Sequence, residues 1–142
     1  MIPDEDFRGA KIAVIHDNAL LAYLRDDKPD IPFPAMWDLP GGGREDNETP
    51  LECALRETEE EFGVRIPHGR IVWEKRYLGH NPEGLPFYFF VAQLPDGFGD
   101  VRFGDEGQYW QVMAVADFLD HPEAIPHLKA RLRDYLDGIV SD

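Results

Sequence analysis

Residues 56–64 read RETEEEFGV, so Glu57, Glu59, Glu60 and Glu61 crowd four carboxylates into five positions. Like charges three and four residues apart on a helix repel by a few tenths of a kcal/mol per pair, so this segment needs a compensating charge. At about 100° per residue, Leu51, Ala54, Leu55, Thr58 and Phe62 share one face, the expected core face. Glu57, Glu60 and Glu61 share the adjoining arc, where spacings of i, i+3 and i+4 let three carboxylates converge. Glu59 points elsewhere and is expected to be a solvated charge. A cluster with oxygen donors alone suits a hard divalent cation, Mg²⁺ or Mn²⁺. An ordinary acidic helix face would carry the same three glutamates, and the flanking residues decide between the two readings.

Those residues follow a fixed spacing. Gly42, Glu48, Arg56, Glu57, Glu60, Glu61, Gly63 and Val64 fit G-x5-E-x7-R-E-U-x-E-E-x-G-U, where U is aliphatic. This resembles the Nudix box, here residues 42–64, and the preceding WDLPGG is similar to the family's approach to it. One position departs: Thr58 stands where Leu, Ile or Val is usual, with a local packing change as the expected consequence. The resemblance implies an α/β/α sandwich with a mixed β-sheet between helices. It also implies a metal-dependent pyrophosphohydrolase acting on a nucleoside diphosphate linked to another group. Glu57, Glu60 and Glu61 would then ligate Mg²⁺ or Mn²⁺, with the Gly42 carbonyl nearby. Arg56 and Glu48 would form an ion pair that orients the first of these carboxylates. Farther on, GDEGQYW resembles the family loop that supplies a further metal ligand or general base, here Glu106, with Asp105 its nearest substitute.

Substrate identity is less constrained. The compact chain and the DEGQ loop resemble the MutT-type enzymes, which makes a (deoxy)nucleoside triphosphate, cut to monophosphate and pyrophosphate, the expected substrate. Pro82 and Pro86 keep ADP-ribose or a nucleotide sugar open, and a Nudix-fold binding module without catalysis is the remaining alternative. Arg25 is a candidate phosphate contact. Phe33, Trp37, Tyr77 and Phe87 are candidates to stack on a base, although most aromatic residues belong in a core.

The box needs a helix to carry it. Thr49 suits the N-cap, Pro50 the first helical position, and Glu52 completes a capping box; Gly63 then ends the helix. Upstream, KIAVIHDNALLAYLRDD predicts two strands around a turn at His16-Asp17-Asn18. Pro29, Pro32, Pro34 and Pro40 predict that KPDIPFPAMWDLPGGG is a loop. Downstream, RIVWEKRYLGH and LPFYFFVAQL predict strands joined by the turn sequence NPEG. An acidic glycine-rich loop, PDGFGDVRFGDEG, and a strand, QYWQVMAV, follow. A short helical turn and a C-terminal helix close the chain, with Leu128, Leu132, Tyr135 and Leu136 at helical spacing. Strands interleaved with helices predict a mixed sheet with helices on its faces.

Composition narrows the classes. A chain of 142 residues without repeats or linkers is expected to form one domain, 1–142. With 28 acidic against 14 basic residues the net charge is −14, which argues against a general nucleic-acid or membrane surface. A small nucleotide is the expected partner, the protein being monomer or homodimer. The acidic N-terminus lacks the apolar stretch of a signal peptide. Cys53 alone forbids an internal disulfide, and a cytoplasmic location is expected. No P-loop or H-E-x-x-H motif occurs, and the five histidines are scattered.

Overall fold

The computed structural model describes residues 6–78 and 84–140. Of the expected turn at 81–84 only Gly84 lies within them; Pro82 and His80 lie outside. Strands β1 (Gly9–His16) and β2 (Ala19–Leu24) form the expected hairpin. Its two turn residues, Asp17 and Asn18, have φ of 51° and 62°. Short polar side chains tolerate that left-handed region, and the resulting turn matches the twist of the strands.

The proline-rich segment is more ordered than a loop. Within it β3 (Trp37–Asp38) pairs with the end of β2, and β4 (Gly41–Gly43) pairs with the start of β1. Pro40 sits between them, and its carbonyl still accepts the Ile12 N–H at 2.9 Å. Strands of two and three residues leave no periodicity to read in the sequence.

After α1 (Pro50–Phe62), β5 (Ile71–Tyr77) and β6 (Phe87–Gln93) pair antiparallel, and β6 runs parallel to β1 from Gly9↔Phe87 to Ile15↔Gln93. The last strand, β7 (Tyr109–Ala114), lies along β2. The sheet order is therefore β3-β2-β1-β6-β5, with β4 on β1 and β7 on β2.

Alternation along β1, β2 and β6 buries both faces of this sheet. Ile12, Val14, Leu21, Tyr23 and Phe90 pack with Cys53, Ala54 and Phe62 of α1. Ala13, Ile15, Leu20, Phe89 and Val91 pack on the opposite face with Phe118 of α2 (Val115–Asp120) and with Leu128, Leu132 and Tyr135 of α3 (Pro126–Val140). This is the mixed sheet between helices that the sequence predicts. Thr58 is fully buried in α1, and its hydroxyl donates to the Ala54 carbonyl at 2.8 Å, so its polar atom is satisfied in the core. Among the described residues no helix is long and apolar enough to cross a membrane.

Candidate active site

Helix α1 is held rigidly at both ends. Thr49 Oγ1 accepts the Glu52 N–H and Glu52 Oε1 accepts the Thr49 N–H, closing the capping box. Gly63, at φ 66°, ends the helix and donates to the Glu59 carbonyl at 2.8 Å. The orphan carbonyls of Glu61 and Phe62 accept the N–H groups of Gly104 and Arg102, each at 2.8 Å. At the other end of that loop, Gln108 donates its N–H to Leu24 and its side-chain amide to the Arg25 carbonyl. The segment bearing Glu106 is thus strung between the end of α1 and the end of β2.

The acidic face of α1 lies against β4. A Cβ on Gly42 would come within 2.6 Å of Glu57 Oε2, so a side chain there would displace this carboxylate. The Gly41 N–H donates to Glu61 Oε1 at 2.9 Å. Glu61 is buried, and this burial, with Glu57 and Asp38 close by, pushes its carboxyl up to about 8 despite the opposing Lys11. Burial also raises Glu57 above the usual carboxylate range, against the pull of Arg56.

Arg56 answers part of the charge problem. Its Nε and Nη2 donate to Glu48 at 2.6 and 3.1 Å, and Nη2 also reaches the Gly43 carbonyl at 3.0 Å. Its Nη1 meets Glu57 at 2.7 Å and both oxygens of Glu60 at 3.0 Å. The hydrogen bonds from Arg56 hold the Glu48 carboxyl below its usual value, and those same bonds raise the guanidinium.

This arrangement corrects the expected convergence of three carboxylates. Arg56 draws Glu60 to the exposed mouth of the site, while Glu61 turns inward. Among the described residues no three acidic, histidine or cysteine side chains stand grouped to hold a metal ion. The Gly42 carbonyl is also engaged otherwise, accepting the Cys53 thiol at 3.5 Å. The donor set nonetheless fits a hard cation. Glu57 and Glu61 offer oxygen alone, one helical turn apart, and burial raises both despite Arg56 beside Glu57 and Lys11 near each. Glu57 and Glu61 would hold it, with Glu60 joining on release from Arg56.

Glu57 and Glu61 line a cleft of about 440 Å³, together with Gly41 to Gly43, Glu106, Arg8, Lys11, Tyr23, Arg25, Phe87, His127 and Arg131. Glu106 is exposed at its edge; Asp105, also exposed, does not line it. Glu48 and Arg56 stand behind Glu57 rather than in the cleft. Of the aromatic candidates Phe87 lines the cleft, whereas Trp37 is in the core and Phe33 and Tyr77 pack against His127 and Arg131.

Sequence reasoning missed the hub of the cleft floor. Asp38 is 1% exposed, and its Oδ2 accepts from Lys11 at 3.0 Å, Tyr23 at 2.9 Å and Arg25 at 2.9 Å. Burial alone would raise this carboxyl, but Lys11, Arg25 and the Tyr23 hydroxyl outweigh it and hold it low. The one available signal was an acid between two apolar residues, Trp37 and Leu39, in WDLPGG. Lys11 and Tyr23 gave none, because each lies within an otherwise apolar strand.

Comparison with known proteins shows what the chain as a whole is similar to. The chain is 34% identical over 94 residues to an RNA pyrophosphohydrolase of Zymomonas mobilis, covering 66% of this chain and 54% of that protein. It is 29% identical over 102 residues to the nucleoside triphosphatase NudI of Enterobacter sp., covering 65% of this chain and 72% of that one. Among solved structures, a MutT protein from Methanosarcina mazei superposes with TM-score 0.72 at 16% identity, over 97% of this chain and 98% of that one. The NUDIX domain of Shewanella oneidensis NrtR, complexed with ADP ribose, gives 0.65 at 20% identity over 90% and 88%. Members of this family generally use divalent metal ions. The NUDIX domain family model matches residues 7–134, and the chain belongs to the Nudix hydrolase family.

Proposed function

We propose that this chain is an Mg²⁺- or Mn²⁺-dependent pyrophosphohydrolase that cleaves a (deoxy)nucleoside triphosphate to the monophosphate and pyrophosphate. The observation that carries the reading is a single cleft lined by both acids and cations. Glu57 and Glu61 lie against the glycines of β4, and Arg8, Arg25 and Arg131 line the same space. When bound, a divalent cation supplies neutralising charge for the phosphate chain and acidity for a water molecule. Glu57 and Glu61 hold that charge in place, Arg56 keeps Glu57 oriented, and the glycines of β4 let phosphates approach the backbone closely. Glu106, at the cleft edge, accepts the proton released as water attacks phosphorus.

Glu106→Gln is therefore expected to lower kcat by about 10²-fold or more, the low end for loss of a proton acceptor, while Asp105→Asn does less. Steady-state rates of the two variants check this, and the reverse ranking would assign the base to Asp105.

The similarity to NudI supports the triphosphate. A second reading has its own observation: a cavity of about 320 Å³, lined by Asp26, Lys28, Ile31 and Gly107, shares Tyr23, Arg25 and Glu106 with the cleft. It could hold the second moiety of ADP-ribose or of a nucleotide sugar. A substrate panel at equal Mg²⁺, with products separated by chromatography, distinguishes the two. Nucleoside triphosphates are expected to exceed ADP-ribose by about tenfold in kcat/KM, a difference of about 1.4 kcal/mol in transition-state binding. AMP and ribose phosphate as the fastest products would reverse the substrate assignment, and no turnover of any member would leave a binding module.

A further inference from the structure

Four cations line the cleft, Arg8, Lys11, Arg25 and Arg131, but their donors are not equally free. Lys11 Nζ meets three acceptors, Asp38 and the carbonyls of Leu39 and Gly41, at 3.0 to 3.1 Å. An ammonium has three hydrogens, so Lys11 is saturated. Arg25 gives Nη1 to Asp38 and Nε to the Pro32 carbonyl, and Arg8 is exposed to solvent.

Arg131 differs. Its guanidinium carbon lies 4.6 Å from the ring centroid of Tyr77 and 5.8 Å from that of Phe87, residues paired across the β5–β6 ladder. Among the described residues it makes no hydrogen bond or ion pair. Asp134, three residues on, is engaged by the Tyr77 hydroxyl at 2.7 Å and by Lys75 at 3.6 Å. Burial disfavours the charge of Arg131 and lowers its pKa. A half-buried cation held by ring faces keeps its N–H edges available. It is complementary to an anion that arrives with the ligand. His127, one turn earlier, is kept below its ordinary pKa by burial and by Arg131, so at neutral pH it adds hydrogen-bonding capacity rather than charge.

We propose that Arg131 is a substrate-binding residue whose guanidinium fork receives phosphate oxygens of the nucleotide in the cleft that Glu57 and Glu61 also line; this rests on the nucleotide reading above. A planar fork suits two phosphate oxygens at once. Arg131 and the two acids line the same cleft, so one phosphate chain can meet both.

The test is calorimetric binding to the full chain in Mg²⁺. The probe is a dATP analogue with a methylene group bridging the α and β phosphorus atoms, so that binding is read without turnover. Arg131→Met keeps an apolar stem against Tyr77 and Phe87 while removing charge and fork; Arg131→Lys restores the charge alone. Loss of a hydrogen bond to a charged group is expected to raise the Kd of the analogue roughly 10- to 100-fold in Arg131→Met, with Arg131→Lys between it and wild type. Adenosine, which has no phosphate, should bind all three proteins alike. Arg133→Met, on the exposed side of α3, should match wild type. An unchanged Kd for the analogue in Arg131→Met would overturn the proposal, as would an equal loss of adenosine binding. If thermal denaturation shows that Arg131→Met does not fold, Arg131→Gln is read by the same criteria. If wild type hydrolyses no nucleotide yet binds the analogue, the pyrophosphohydrolase reading fails while the Kd shift still decides Arg131. If wild type does not bind the analogue either, both fall.

Discussion

Turnover of a nucleoside triphosphate is expected to fall to background in EDTA and to return on addition of excess Mg²⁺ or Mn²⁺. The chain carries a net charge of −14, and its candidate site adds Glu57 and Glu61 at close quarters to a polyanionic substrate. Two like charges 4 Å apart repel by about 1 kcal/mol in bulk water and by about 4 kcal/mol near a protein surface. Arg56 pairs with Glu48, Glu57 and Glu60 rather than with Glu61. A cation that enters with the phosphates would offset the remaining repulsion. Because the Glu61 carboxyl sits at about 8 in the metal-free protein, cation binding should release protons and strengthen as pH rises toward that value. Phosphate release measured in chelator reads the first effect, and calorimetry in two buffers of different ionisation heat reads the second. Full turnover in EDTA would sink the proposed chemistry.

Glu61→Gln is expected to lower kcat by about 10²- to 10³-fold, the loss typical of one essential electrostatic group. Glu60→Gln should fall in the same direction. Glu59→Gln is the control and should be nearly silent, because Glu59 is exposed and outside the cleft. Glu61→Gln should also stabilise the metal-free fold at alkaline pH. Burial raises the Glu61 carboxyl from its ordinary 4.5 to about 8 in the folded state, so between those values the folded protein holds a proton that the unfolded chain has released. Stability from this group is complete below about pH 4.5 and is lost as pH rises through 8. Glutamine never ionises, so Glu61→Gln should denature at a higher temperature than wild type at pH 9 in EDTA, with the difference shrinking at pH 5. Thermal denaturation at the two pH values measures it. A variant less stable than wild type at pH 9 would mean that Glu61 is charged and well compensated where it stands.

Much of the site was readable from local chemistry. The capping box at Thr49 and Glu52, the terminal Gly63 and the i, i+3, i+4 spacing of Glu57, Glu60 and Glu61 all depend on residues within one or two turns of each other. The Asp17-Asn18 turn and the alternating strands beside it are local in the same sense. The strands β3 and β4 were not readable, because two or three residues pair only when β1 and β2 already offer open edges. Nor was the Asp38 hub, whose partners come from β1 and from β2 and its end, 13 to 27 residues away along the chain.

The amino-acid sequence by itself determined which groups can do chemistry: helix periodicity places the carboxylates, and the box spacing places Arg56 and Glu48 beside them. Only the tertiary structure decided their states. Packing against β4 buries Glu61 and leaves Glu60 in solvent on Arg56, although the two are adjacent in sequence. Folding α3 across the sheet brings Arg131 to the same cleft from 70 residues beyond Glu61. Charge state and encounter depend on burial and on distant neighbours, and neither is a property of local spacing.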